Sequence, residues 1–270
     1  MELTIVGCSG SMSGPESPAS CYLVQAPYQG RTFTLVLDLG PGAAGALYRY
    51  LDPRQVDAIA LSHLHPDHCL DLCAFYVAAR YSSTAPWPPA SVYGPDGTPG
   101  RLTRAYDVPS VDGAASEAGP GIGGYFRYQV WLPEQRIGPF IVRTVRVAHP
   151  VEAYAIRVEE AVPGGGSLVF SGDTGPCQTL VELSRDVDLL LCESAFLDGD
   201  DLPTGLHLCG RQAAEHAEAA GASVLLLTHI PPWNDPEQVL KEAQPHFAGS
   251  VQLAEVGARW TIGEPQAALQ

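Results

Sequence analysis

Residues 56–68 read Val56-Asp57-Ala58-Ile59-Ala60-Leu61-Ser62-His63-Leu64-His65-Pro66-Asp67-His68. The first six predict a short apolar strand, and the next seven place three imidazoles and a carboxylate at its carboxyl end. Nitrogen and carboxylate donors suit zinc and related divalent ions, and a loop leaving a strand can turn alternate side chains toward one point. A lone histidine in a polar loop implies no metal. Four potential ligands within six residues, His63, His65, Asp67 and His68, do.

The arrangement recurs downstream. Val147-Ala148-His149, Phe170-Ser171-Gly172-Asp173-Thr174 and Leu227-Thr228-His229 each set a candidate ligand just after an apolar run. Five of the eight histidines belong to this set, and strand ends are where open sheets gather functional groups. His216 and His246 fall in helical stretches and read as ordinary helix residues.

Around these positions, strands are expected at 2–6, 21–25 and 32–38, separated by Gly/Ser/Pro segments, which makes the start an antiparallel meander. Helical periodicity follows at 43–51 and from about 68 to 81, with strands at 56–61 and leading up to Val92-Tyr93. Residues 94–124 are rich in Gly, Pro, Ser and Ala and predict loops around a short helix. The run Gly119-Pro120-Gly121-Ile122-Gly123-Gly124 reads as a flexible loop and not a phosphate cradle, because no strand feeds it and no helix clearly follows. The second half repeats the logic, with strands at 140–148, 153–158, 168–170, 187–192, 224–227 and 251–256, and helices at 178–184, 207–220 and 236–247. There is no repeat of fixed period. Two mixed halves, each with strands first and helices after, predict an α/β chain of one domain, 1–270, in which two mixed sheets pack together with helices on the outer faces.

Composition agrees with an ordinary core. The 270 residues are 46% hydrophobic and 17% charged, and a chain of this size buries about three quarters of its unfolded surface, so global disorder is excluded. The formal net charge is −15, and Lys241 is the only lysine beside fourteen arginines. That excess opposes non-specific adhesion to nucleic acid or anionic lipid, though not a local basic groove. The N-terminus lacks the cationic start and long apolar stretch of a signal peptide, and no apolar run approaches the roughly 20 residues that span a bilayer. A cytoplasmic protein with no membrane partner, beginning at Met1, is therefore expected. Seven cysteines, odd in number and without CxxC spacing, predict reduced thiols.

With HxHxDH followed by separated His, Asp and His, the chain resembles the metallo-β-lactamase-fold hydrolases over essentially its whole length. The resemblance implies an αββα sandwich and two divalent metal ions, with zinc expected and manganese the alternative. Carried over by motif, His63, His65 and His149 hold one ion, Asp67, His68 and His229 the other, and Asp173 bridges them. Flavodiiron-type oxidoreductases usually have glutamate where His65 stands, so a hydrolytic site is favoured.

The fold alone does not choose a reaction. Leu191-Cys192-Glu193-Ser194-Ala195-Phe196, then His207-Leu208-Cys209-Gly210 opening a helix, resemble the RNase Z branch and its cyclic-nucleotide phosphodiesterase relatives. There a glutamate after a strand and a histidine before a helix flank the phosphate. The Gly7-Cys8-Ser9-Gly10-Ser11 loop, the Ser17-Pro18-Ala19-Ser20-Cys21 return and Tyr93-Gly94-Pro95 are similar to that branch too. The resemblance implies water activated on the metals, with Asp67 as an acceptor of its proton. It implies His207 as stabiliser of the phosphorane or proton donor to the leaving oxygen, with Glu193 fixing its tautomer.

Processing of pre-tRNA and hydrolysis of 3′,5′-cyclic nucleotides break the same kind of P–O3′ bond, so substrate must be read from the binding surface. RNase Z enzymes resemble one another in a long cationic arm. Between Asp96 and Ile137 this chain sets Arg101, Arg104, Arg127 and Arg136 against Asp96, Asp107, Asp112, Glu117 and Glu134, a poor arm for RNA. Tyr81, Trp87, Tyr93, Trp131, Phe196 and Trp233 are candidates to stack on a base, although most aromatics in such a chain are core. The N-terminal motifs and the acidic, arginine-biased composition are similar to the atypical class II cyclic-nucleotide phosphodiesterases of actinobacteria. The expectation is a zinc phosphodiesterase acting on a small nucleotide, cAMP or cGMP, with a tRNA 3′-endonuclease second. A lactonase, a thiolesterase or a non-catalytic scaffold follow, and the resemblance implies a homodimer as the expected assembly.

Overall fold

In the computed structural model, which describes residues 1–107, 121–199 and 203–263, the strands form two seven-stranded mixed sheets. The first runs β14-β1-β2-β3-β4-β5-β6: β14 (Arg259–Thr261), β1 (Glu2–Gly7), β2 (Cys21–Tyr28), β3 (Arg31–Leu37), β4 (Ala58–Ala60), β5 (Ser91–Gly94) and β6 (Arg127–Val130). The second runs β13-β12-β11-β10-β9-β8-β7: β13 (Ser250–Leu253), β12 (Val224–Thr228), β11 (Leu189–Glu193), β10 (Ser167–Phe170), β9 (Tyr154–Glu160), β8 (Phe140–Arg146) and β7 (Glu134–Ile137). The expected opening meander is present, with β1 antiparallel to β2 and β2 antiparallel to β3.

Strand side chains alternate between two buried faces. Tyr22, Val24, Leu189 and Leu191 point into a core shared by the sheets, with Phe140, Ile156 and Phe170. Their neighbours Cys21 and Leu23 face α1 (Ala43–Ala46), α3 (Asp71–Tyr81), α4 (Thr98–Tyr106) and α5 (Ile122–Tyr125). Leu190 and Cys192 face α6 (Gln178–Leu183), α7 (Gly210–Ala220) and α8 (Pro236–Ala243). The period of two thus produces three apolar layers and the expected sandwich.

Both sheets carry a parallel half, β3-β4-β5-β6 and β10-β11-β12-β13. The carboxyl ends of β4, β8, β10, β11 and β12 deliver the candidate ligands and Glu193 to one rim, and His207 comes from the stretch before α7. All seven cysteines are free thiols, and among the described residues no helix is long and apolar enough to cross a membrane.

Three local expectations need correction. The helix expected from about His68 starts earlier and is split into α2 (Pro66–Cys69) and α3, because Leu39 takes the backbone bonds that would join them. Leu39 N donates to His68 O at 2.8 Å, and Leu39 O accepts from Asp71 N at 3.1 Å. The helix expected at 43–51 ends as α1 followed by a 3₁₀ turn. The glycine run is not simply a flexible loop from Gly121 onward. Ile122–Tyr125 form one helical turn with Ile122 fully buried, and a Cβ on Gly123 would meet Thr103 Oγ1 at 2.4 Å. Gly119 and Pro120, like Asp112 and Glu117, lie outside the described residues. β6, β7 and β14 were not expected: they are short and largely polar or exposed edge strands, so no apolar run marks them.

Candidate metal centre

Two groups of donors meet at this rim and share Asp173. In the first, His65 Nδ1 lies 3.1 Å from both His63 Nε2 and His149 Nε2, and His63 Nε2 is 3.6 Å from Asp173 Oδ2. In the second, His68 Nε2 lies 3.2 Å from Asp67 Oδ2 and from Asp173 Oδ1. His229 Nε2 lies 3.3 Å from Asp173 Oδ2 and 3.7 Å from Asp67 Oδ2. Donors placed tetrahedrally at bond lengths near 2.0–2.1 Å are about 3.4 Å apart, so both groups have the spacing of a ligand shell.

The backbone reaches this geometry through close approaches that only glycine permits. A Cβ on Gly40 would fall 1.9 Å from Asp67 O, and one on Gly10 would fall 2.1 Å from His229 O. Gly172, at φ +58, turns the chain between β10 and Asp173. His229 is itself left-handed at φ +57, an uncommon conformation for a side chain other than glycine, held by His229 N donating to Cys8 O at 3.0 Å.

Hydrogen bonds fix which nitrogen faces the centre. His149 Nδ1 donates to Leu206 O at 3.0 Å, leaving the Nε2 lone pair inward. Ser62 Oγ gives its proton to Asp38 Oδ2 at 2.7 Å and therefore accepts from His63 Nδ1 at 3.0 Å, which leaves His63 Nε2 bare. His68 Nδ1 contacts Asp38 Oδ2 at 2.6 Å, and His229 Nδ1 contacts Ser20 Oγ at 3.1 Å. His68 Nε2 and Asp173 Oδ1 are fully buried, face one another and have no hydrogen-bond partner. Buried polar atoms are rarely left so, and cations between these donors would satisfy them. The fold and the His/Asp cluster fit a dinuclear metal site.

Electrostatics point the same way. Burial, then the neighbouring imidazoles, hold His63 well below the ordinary histidine range, and burial also lowers His65, His149 and His229, so these four offer lone pairs. Burial alone would depress His68 as well, but Asp173, Asp38 and Asp67 outweigh it and raise it well above the usual value. Burial would raise Asp173, yet His229, His68 and His63 hold it well below the carboxylate range. Asp67 is lowered too, against its burial, chiefly by His68 and His229.

A third cluster adjoins the bridge. Glu193, at the end of β11 and fully buried, accepts from Thr174 N at 2.8 Å, Ala195 N at 3.1 Å and His207 Nδ1 at 2.9 Å. His207 Nδ1 is 4.0 Å from Asp173 Oδ2. Burial would lower His207, but Glu193 overcomes it and pushes the imidazole up to about 8.

The structure therefore brings together all seven sequence-predicted ligands, with Glu193 and His207 beside them. His216 and His246 lie elsewhere: His216 accepts from Cys177 N at 3.1 Å, and His246 is exposed. Asp38 escapes the sequence reading. It is fully buried, at φ +54, and follows β3 as the other site residues follow their strands. That position at the end of an apolar run is the signal that could have found it.

A family model described as the beta-lactamase superfamily domain matches residues 34–230. The chain belongs to the beta-lactamase superfamily. Within it, an uncharacterized protein of Mycobacterium leprae is 43% identical over 272 residues, covering 98% of this chain and 90% of its own. The probable metallo-hydrolase YhfI of Bacillus subtilis is 29% identical, covering 96% and 99% of the two chains. The YhfI crystal structure superposes with a TM-score of 0.81 over 96% of this chain and 98% of its own. A protein named ribonuclease Z from Myxococcus xanthus is 27% identical over 94% and 95% of the two chains. The superfamily fold and the His/Asp donor set of this chain fit a metallo-hydrolase.

Proposed function

We propose that the protein is a dinuclear-metal phosphodiesterase that hydrolyses a small nucleotide, 3′,5′-cyclic AMP or cyclic GMP, to the 5′-nucleotide. The observation that carries this reading is the Glu193–His207 pair, which sets a proton donor beside the shared carboxylate Asp173. His63, His65 and His149 would hold one ion and Asp67, His68 and His229 the other, with Asp173 between them and zinc the favoured metal. When bound, such a pair lowers the pKa of water from about 15.7 toward roughly 7 and neutralises phosphoryl oxygens.

The chain's own residues supply the rest. His207 donates Nδ1–H to Glu193, which leaves Nε2 to carry the proton that the departing 3′-oxygen takes. Its raised pKa keeps it largely protonated at neutral pH. Asp67, held below the ordinary carboxylate range, is a weak proton acceptor and serves better as a ligand than as the base. The small substrate is supported by charge: the sequence of residues 96–137 holds four arginines and five carboxylates, and the described part of that segment is largely taken up by α4, α5, β6 and β7.

The deciding experiment gives one metal-loaded preparation cAMP, cGMP, an aryl phosphodiester and a pre-tRNA. Turnover of a cyclic nucleotide to the 5′-monophosphate supports the reading. Cleavage of pre-tRNA at its 3′ end with negligible cyclic-nucleotide turnover replaces it with the tRNA endonuclease. Inactivity of the metal-loaded protein toward every phosphodiester removes it.

A further inference from the structure

Of the six aromatic residues that could stack on a base, several are committed to the fold. Trp87 and Trp131 are buried, with Trp131 Nε1 donating to Leu61 O at 2.9 Å, and Tyr93 is stacked on Trp131. Tyr81 lies at the end of α3, with Arg80 over its ring. Phe196, which adjoins His207, and Trp233, on the loop that follows His229, remain. The Phe196 ring meets the His207 ring edge-on at 5.0 Å between centroids. Trp233 is 66% exposed, the largest exposure of any large apolar side chain among the described residues, and stands four residues beyond His229.

Its turn is built and not loose. Asn234 N donates to Pro231 O at 3.0 Å, and Asn234 Nδ2 donates to Ala195 O at 2.8 Å, tying the turn to the residue before Phe196. On its other side Gly10 N donates to Ile230 O at 3.1 Å. The next residue, Ser11, has its backbone N 3.4 Å from His229 Nε2, and Met12 follows it, 52% exposed. Three hydrogen-bonded loops that border His229 and His207 therefore carry Met12, Phe196 and Trp233. Single exposed apolar side chains need no explanation, but two of them with a half-buried phenyl, on loops adjoining one polar site, mark a place for a flat apolar ligand.

We propose that Trp233, with Phe196 and Met12, forms an apolar lip that receives the heteroaromatic base of a nucleotide whose phosphate sits at the metal centre. This rests on the phosphodiesterase reading and adds to it a specificity-determining subsite. Every base offers a π-face, so an indole platform gives affinity with little base preference. The sugar and phosphate then place the scissile bond, and the lip contributes binding common to ground state and transition state.

The test compares cAMP with an abasic methyl riboside 3′,5′-cyclic phosphate, and adds an AMP titration read by tryptophan fluorescence, which needs no turnover. Trp233→Ala should raise KM for cAMP roughly 5- to 150-fold, the range that stacking of one base contributes, with kcat near wild type. Trp233→Phe should restore most of the loss, and the abasic substrate should not distinguish the variants. Saturable AMP quenching should disappear in Trp233→Phe. An equal loss on both substrates, or unchanged KM for cAMP with unchanged quenching, overturns the subsite while leaving the reaction intact. Trp233-dependent quenching by AMP in a protein that turns over no cyclic nucleotide keeps the subsite and removes the reaction.

Discussion

His68 Nδ1 lies 2.6 Å from Asp38 Oδ2, and this contact between two fully buried side chains decides which imidazole nitrogen faces the metal centre. Asp38 also accepts from Ser62 N and Ser62 Oγ, each at 2.7 Å, and its carboxylate, an acceptor only when ionised, accepts from His68 as well. Ser62 Oγ in turn holds His63. One carboxylate on β3's carboxyl end thus orients a donor of each candidate metal group, and a residue that would touch neither ion governs both.

Replacing Asp38 by asparagine tests this. Asparagine tolerates the left-handed φ of +54 and is nearly isosteric, but its amide cannot satisfy three donors at once. Loss of such an outer partner costs roughly 10–100-fold in metal affinity. Competition with a chromophoric chelator should show that loss in Asp38→Asn, with an unchanged far-ultraviolet spectrum. Wild-type affinity in the variant would remove the orienting role.

Asp173 stands in both donor groups and so would couple two ions held there. Protein purified without chelator should carry two metals per chain by elemental analysis. Asp173→Ala should fall below one, whereas His149→Ala, outside the second group, should retain about one. If Asp173→Ala keeps a full complement, the carboxylate does not bridge.

The ligand positions are legible because each stands just beyond an apolar run; the parallel strands β4, β10 and β12 gather most of them on one rim, and the antiparallel β8 adds His149. The αββα layering is legible for a similar reason: strands buried on both faces, such as Leu189 to Cys192, read as unbroken apolar runs. Asp38 obeys the same rule but carries no motif, since its importance lies in a contact with His68, thirty residues on. The split between α2 and α3 is also non-local, set by Leu39 reaching across to His68 O and Asp71 N. β7, with three of its four residues partly or fully exposed, has neither an apolar run nor an alternation long enough to mark it.

His207 is assigned to proton transfer, which gives its variants a distinct signature. His207→Ala should keep its metal and lose about 10²–10⁴ in kcat on cAMP, with a smaller loss on a nitrophenyl ester, whose leaving group needs little protonation. Because the raised pKa belongs to the acid form, activity should be present below about 8 and fall as pH rises through it. The same sign holds for stability: the imidazolium–Glu193 pair contributes below the unfolded value near 6.5, and the contribution is lost through pH 8. Glu193→Gln removes the charge that raises His207, so the alkaline limb of kcat should move to lower pH. A limb that stays in place would assign it to another group.

Salt distinguishes the two phosphodiester substrates by a route independent of the metal ligands. A tRNA held through six to ten phosphates would lose roughly 10³- to 10⁵-fold in affinity between 50 and 200 mM salt, because each neutralised phosphate releases counterions. A cyclic nucleotide carries one phosphate and releases few. The net charge is −15, and the sequence of residues 96–137 holds four arginines, too few for six such contacts. Cyclic-nucleotide kcat/KM should therefore change only slightly over this range, and titration of pre-tRNA at 50 mM salt should give no complex. A tight tRNA complex with a steep salt slope would place a basic groove elsewhere on the molecule and make the endonuclease the better reading.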